Sequence, residues 1–245
     1  MSAEAYFEAC EAGLARLREE QRDNIKAAAT LFADTIAAGR AIFAFGASHS
    51  FMIPMELCYR TGGLMLINPI YPHGMDLGVR PVAMTSQIER IPDYGRVLLE
   101  NSPAIEDDVL LIASTSGRNA VAIDMALAAR ERGVKTVAVT SVEYSSSVPS
   151  RHPSGKRVME LCDIVIDNCA PLGDAAVAIP GVGQKTGPLS SVLGCAVVNA
   201  IACQTIADLV ERGIEPPVYI SANMPEGDEH NARLLAQNAD RIHYM

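Results

Sequence analysis

The chain has 245 residues, 49% of them hydrophobic and 20% charged, with a formal net charge of −9. That composition suits a globular protein able to bury a full core. Its acidic balance, with 20 Lys and Arg scattered along the chain, argues against a nucleic-acid partner. Six cysteines (Cys10, Cys58, Cys162, Cys169, Cys195 and Cys203) lie mostly in apolar runs, without a C-x-x-C pair or a His/Cys ligand set. They read as buried, reduced thiols, and no metal is expected of them. The opening residues, MSAEAYFEACEAGLARLREE, are acidic and amphipathic, unlike a secretory leader, and no run of 18 or more apolar residues stands out as a membrane span. The expectation is a cytoplasmic protein with no membrane partner.

From Ala3 to about Ala38 the apolar residues Phe7, Cys10, Leu14, Leu17, Ala28 and Leu31 recur every three or four positions, which predicts a long helix. Gln21 and Asn24 interrupt its apolar seam, so the helix packs either on a neighbouring subunit, with the amides fixing register, or on its own domain. After Gly39 the period changes. Runs at 41–45 (AIFAF), 63–68 (GLMLIN), 109–113 (VLLIA), 135–140 (KTVAVT) and 162–167 (CDIVID) are apolar throughout and do not alternate with polar residues. Such runs mark strands covered on both faces, as in a parallel sheet. Helical stretches separate most of them, the clearest being RNAVAIDMALAARERG at 118–133 with its terminal Gly. The predicted fold is therefore α/β, a doubly wound parallel sheet of about five strands flanked by helices.

Residues 170–190 are rich in Gly and Pro and read as an irregular loop; a helix from about Leu189 to Arg212 follows, then a loop and a short amphipathic helix. No linker or repeat divides the chain. It reads as a single domain, 1–245, with a helical extension at 1–38, an α/β core at 39–213 and a C-terminal loop and helix at 214–245.

Two turns stand out because each closes a buried strand just before a helix: FAFGASHSF at 43–51 and LIASTSGRN at 111–119. In an open parallel sheet, ligands bind at the carboxyl ends of strands, where helix N-termini present free N–H groups. Gly46 and Gly117 permit tight turns and close backbone approach, while Ser48, Ser50, Ser114, Thr115, Ser116 and Asn119 add polar side chains. Hydroxyls and amides without an obligatory Lys suit a phosphomonoester better than a nucleoside triphosphate. Neither a Walker-type G-x-x-x-x-G-K-[ST] nor a post-strand G-x-G-x-x-G is present.

The unit ASTSGRNAVAIDMALAARERGVKTVAVTS, from Ala113 to Ser141, resembles the signature of the sugar isomerase (SIS) phosphosugar-binding family: strand, S-x-S-G turn, helix, and a strand ending in Thr-Ser. With FGASHS at the first strand, the resemblance covers roughly residues 1 to 213. The long leading helix is similar to the phosphoheptose isomerase branch, which implies a homodimer or homotetramer with sites near subunit interfaces. It also implies that Ser50, Ser114, Ser116 and Asn119 hold the phosphate of a sugar phosphate, with Gly46, Ser48, His49, Thr115 and Gly117 close by. Asn119 departs from the Ser or Thr usual at that place. No cofactor is implied.

Aldose–ketose isomerisation needs a base that carries a proton between C1 and C2 of the open chain. Glu56, on the helix after the first turn and between Met55 and Leu57, is the first candidate, because apolar neighbours raise a carboxyl group's pKa. The resembling isomerases and etherases carry a Glu on the same helix, though the spacing differs here. Glu89 is a second acidic candidate, with pairing to Arg90 or Arg96 as the alternative. His49, in the first turn, either touches the substrate or points to solvent, while His73, in a Pro- and Gly-rich loop on the ligand side, and His230, after three acidic residues, are candidates for catalysis, with a helix start as the alternative for His230. The late helix lacks the His of phosphoheptose isomerase, so either His73 or His230 replaces it from elsewhere or this chain does not open sugar rings in that way. A metal ion on the adjacent Asp228, Glu229 and His230 is disfavoured, since neighbouring residues rarely converge on one cation. The function expected is a sugar-phosphate isomerase; the same base would serve an etherase or lyase, and a non-catalytic phosphosugar sensor or assembly protein is the third reading.

Overall fold

The computed structural model describes residues 1–245. The first two helices are α1 (Ser2–Glu20) and α2 (Arg22–Ala37). The single long helix expected over 3–38 is broken at Gln21, whose backbone leaves the helical region and whose side-chain oxygen accepts the Asp167 N–H at 3.1 Å. A contact to the far edge of the sheet, not a local helix breaker, sets the bend. Leu17, Ala28 and Phe32 are buried within their own chain, whereas Phe7 and Leu14 stay exposed.

Five parallel strands follow: β1 (Ile42–Gly46), β2 (Ile67–Ile70), β3 (Val109–Ala113), β4 (Lys135–Thr140) and β5 (Ile164–Asp167), in the order β2-β1-β3-β4-β5. Between them lie α3 (Met52–Leu57), α4 (Met84–Ile88), α5 (Tyr94–Glu100), α6 (Ala120–Glu131) and α7 (Val142–Ser147). Every residue of β1 and β3 is buried, which is why these strands are apolar without alternation. Their side chains feed two cores in turn. Ile42 and Ala44 pack with α2 and α8 (Ser190–Glu211), while Phe43 and Phe45 pack with α5 and α6.

The second strand begins later than expected. Residues 63–65 leave the sheet to meet the chain near Val218, with Met65 N–H donating to the Pro217 carbonyl at 2.8 Å and Leu64 bridging Val218 antiparallel. The Gly- and Pro-rich segment is also more ordered than expected: β6 (Ala175–Val177) and β7 (Thr186–Pro188) pair antiparallel within it. Helix α8 is long and apolar enough to cross a membrane by length and composition, although Asn199, Gln204 and Asp208 interrupt its apolar run. Here it packs on α2 and α3 and buries Leu193, Val197, Val198, Ile201 and Leu209. A last helix, α9 (Gly227–Gln237), follows. All six cysteines are free; only Cys58 and Cys169 are buried, and Cys203 is exposed.

Candidate functional site

The strand order reverses between β1 and β3, so their helical connections leave on opposite faces and open a crevice at their carboxyl ends. Gly46 and Ala113, the last residues of the two strands, sit side by side in register. The two Ser-rich turns therefore emerge as neighbours.

The first turn needs its glycine. A Cβ on Gly46 would lie 2.4 Å from the Ser50 carbonyl oxygen, because residues 48–51 coil back as one tight helical turn. Ser48 adopts a left-handed conformation and donates its N–H to the Met75 carbonyl at 2.8 Å. In the second turn Gly117 is left-handed (φ +59°), and a Cβ there would press on Ser145 Oγ at 2.9 Å. Thr115 contributes its carbonyl to Ser141 N–H at 2.9 Å, which ties the turn to the end of β4. The N–H groups of Thr115 and Ser116 find no acceptor in the chain and stand beside the N-terminus of α6, an arrangement that favours an anion.

Between the turns lies a cavity of about 260 Å³. Ser48, His49, Ser50, Ser114, Thr115, Ser116 and Asn119 all line it, and so does Glu89. The Glu89 carboxylate spans the gap. One oxygen accepts the Ser48 hydroxyl at 2.5 Å and the other accepts the Asn119 amide at 2.6 Å. Its main-chain carbonyl accepts Val121 N–H at 3.1 Å in the first turn of α6, which locks the end of α4 against the second turn. Asn119 is itself held from outside by Arg151, whose guanidinium donates to the Asn119 side-chain oxygen at 3.0 Å.

Four lining residues were not named individually from the sequence: Gly173 and Asp174 in the Gly- and Pro-rich loop, and Tyr144 and Ser190 outside it. Asp174 caps α8, accepting the N–H groups of Leu189 and Ser190 at 3.0 and 2.7 Å and the Ser190 hydroxyl at 2.7 Å. The only available signal was an Asp after a Gly in a loop. A second unforeseen pair lies behind the site, where His152 Nε2 meets Asp124 Oδ1 at 2.9 Å and both side chains are almost fully buried. Burial raises the Asp124 carboxyl above its usual range, and the His152 charge opposes that rise.

The other candidates lie elsewhere. Glu56 points away from the cavity: its carboxylate pairs with Arg60 at 3.2 Å and accepts the Asn199 amide at 3.1 Å. Of its sequence neighbours, Met55 is exposed and Leu57 is buried. His73 is exposed and lines a separate cavity of about 360 Å³ with Phe43, Asn68, Tyr94 and His243. His230 Nε2 lies 3.2 Å from the Val218 carbonyl, and its neighbours Glu226, Glu229 and Arg233 belong to neither turn. No three His, Cys, Asp or Glu side chains converge in a way that would hold a metal ion.

A family model described as the SIS domain matches residues 5–141, which contain both turns, Glu89 and the helix behind them. The chain belongs to the SIS-domain family. Within that family, a UPF0309 protein of Shouchella clausii is 42% identical over 242 residues, covering 99% of this chain and 98% of that protein. Another, from Streptomyces griseus, is 40% identical and covers 98% and 96%. The SIS fold also superposes on a phosphoheptose isomerase of Francisella tularensis, with a TM-score of 0.56, 15% identity and coverage of 83% of this chain and 95% of that one. The phosphoheptose isomerase of Neisseria gonorrhoeae gives a TM-score of 0.55 at 14% identity, with 84% and 97% coverage. At such identities the likeness is one of fold, and the chemistry rests on this SIS domain's own residues.

Proposed function

We propose that the crevice between the two turns binds a sugar phosphate and that Glu89 is the base of an aldose–ketose isomerisation. The observation that carries this reading is the placement of the Glu89 carboxylate across the crevice, bonded to one side chain from each turn. The hydroxyls of Ser50, Ser114, Thr115 and Ser116 and the free amides of Thr115 and Ser116 bind the phosphate, aided by the positive end of α6. With the phosphate held there, the open-chain sugar extends past Glu89. Glu89 takes the C2 proton of the aldose, the electrons move into the C1 carbonyl to give an enediolate, and the Glu89 carboxyl, free to exchange its proton with solvent meanwhile, returns a proton to C1. His49, which lines the cavity, moves the hydroxyl proton from O2 to O1. The names of the neighbours of similar fold, phosphoheptose isomerases among them, agree with this chemistry.

The same C2 proton abstraction can expel a substituent from C3, so an etherase or lyase needs no different base. Incubation with a panel of aldose and ketose phosphates, followed by proton NMR of the products, separates the two. Ketose from aldose supports isomerisation, an unsaturated sugar supports elimination, and no product from any compound contradicts catalysis.

The functional unit we propose is a homo-oligomer. Phe7 and Leu14 on α1, Met52 and Met55 on α3, and Val192 on α8 are exposed, and less than half of the most apolar stretch of α8 is buried within the chain. A second copy covering these faces would enclose Glu56 as well. Sedimentation velocity at micromolar concentration tests this, with a monomer as the contradicting result.

A further inference from the structure

We propose that Arg90, Arg118 and Arg151 form a second anion subsite at the rim of the crevice, so that the substrate is a sugar phosphate bearing another anionic group, a carboxylate or a second phosphate. This inference rests on the phosphosugar reading above and narrows its substrate class.

The three arginines are gathered by the backbone of the site itself. Arg90 follows Glu89, and Arg118 lies between Gly117 and Asn119. Arg151 is fastened to the second turn: its N–H donates to the Arg118 carbonyl at 2.8 Å and its guanidinium to the Asn119 side chain at 3.0 Å. The segment carrying Arg151 is fixed on either side. His152 is paired with the buried Asp124, and Val158 N–H donates to the Gly117 carbonyl at 2.9 Å. Its position is therefore set before any ligand arrives.

No carboxylate in the chain neutralises the cluster. Seven arginines have acidic partners within 4.0 Å; Arg90, Arg118 and Arg151 have none, and neither do Arg18, Arg22, Arg80, Arg130, Arg132 and Arg241, but only the first three adjoin the crevice. The nearest acid by chain position, Glu89, has both oxygens engaged by Ser48 and Asn119. The Arg118 Nε is buried and has no acceptor in the chain, so holding this guanidinium in place carries an uncompensated cost. Burial first, then the charges of Arg118 and Arg90, push the Arg151 guanidinium below its usual pKa. Three like charges held together in a protein of net charge −9 repel one another until an anion joins them.

The cluster is separate from the phosphate cradle. Residues of both turns line the cavity, whereas none of the three arginines does; Arg90 and Arg118 adjoin the lining residues Glu89 and Asn119 in the chain, and Arg151 is bonded to Asn119. A sugar whose phosphate sits against Ser114–Ser116 directs its other end past Glu89. Guanidinium groups there offer the paired donors that carboxylate and phosphate oxygens accept.

The test is isothermal titration of the full chain with three probes: glucose 6-phosphate with one anionic group, 6-phosphogluconate with an added carboxylate, and fructose 1,6-bisphosphate with an added phosphate. At least one doubly anionic probe should bind about tenfold or more tighter than glucose 6-phosphate, equivalent to 1.4 kcal/mol. In Arg151→Gln and Arg118→Gln that ratio should collapse toward one. Arg90→Gln, at an exposed position, serves if Arg118→Gln misfolds. Equal affinities in the wild type, with glucose 6-phosphate still bound, overturn the subsite and leave the phosphosugar reading standing. Variants that weaken every probe alike, keeping the ratio, assign the arginines to the phosphate cradle and also overturn it. No binding of any sugar phosphate removes the parent reading and this one together.

Discussion

Glu89→Gln separates the two acidic candidates. The Glu89 carboxylate accepts two hydrogen bonds, from Ser48 and from Asn119. A glutamine keeps the shape: its oxygen accepts the Asn119 amide, and its NH2 donates to Ser48 once that hydroxyl rotates. Loss of charge weakens the bonds without leaving a donor stranded, so the stability cost should be about 1 kcal/mol or less. The rate should behave differently, because an amide cannot take a proton; loss of a positioned base costs about 100- to 10,000-fold. Glu56→Gln removes only a partly exposed ion pair with Arg60, with side chains 59% and 25% exposed for Arg60 and Glu56, worth at most about 1 kcal/mol. The assay is deuterium uptake at C1 or C2 of the responsive sugar phosphate, followed by proton NMR in heavy water, with melting temperature as the folding control. Glu89→Gln should be folded and slow, and Glu56→Gln folded and as fast as the wild type. A fast Glu89→Gln, or a Glu56→Gln equally slow, would refute the assignment and point to a base delivered across a subunit interface.

Other outcomes follow from the same geometry. Ser116→Ala should weaken binding of a phosphorylated ligand by about 10- to 100-fold, the loss of one hydrogen bond to a charged group, while affinity for the unphosphorylated sugar stays as it was; titration calorimetry reads both. Gly117→Ala forces a left-handed conformation on a residue whose Cβ would also meet Ser145 and Thr140, and should cost about 1–3 kcal/mol in denaturant unfolding. Burial makes the folded state hold the Asp124 proton more tightly than the unfolded chain does. This contribution to stability is complete below the usual carboxylate value of 3.8 and is lost as pH rises through the higher folded value. Asp124→Asn should remove that falling slope from melting curves recorded above pH 4, and an unchanged slope would contradict the burial argument.

The sheet was legible because strands covered on both faces leave an unmistakable pattern, continuous apolar runs such as VLLIA at 109–113. The two turns were legible for a similar reason: Gly and hydroxyl residues at the end of a buried strand have few other uses. What sequence alone concealed depends on contacts between distant segments. The bend at Gln21 is fixed by Asp167, and the late start of β2 by residues 217–219. Glu56 outranked Glu89 because Met55 and Leu57 flank it in sequence, yet adjacent residues of a helix face different directions, and Arg60 and Asn199 are its real neighbours. Asp174 and Ser190 meet only through the fold, 16 residues apart. Arg151 acquires meaning only from its contact with Asn119.

The most direct test of the central claim is the melting temperature of the full chain against sugar phosphates, each beside its unphosphorylated sugar. A ligand at about 100 times its Kd adds roughly 2.7 kcal/mol. For a chain of this length that is a rise of about 5–10 °C. The account predicts such a rise for at least one phosphorylated sugar, absent with the free sugar and cut by about half or more in Ser116→Ala. A free sugar that stabilises as well as its phosphate, or no rise with any phosphorylated compound, would contradict it.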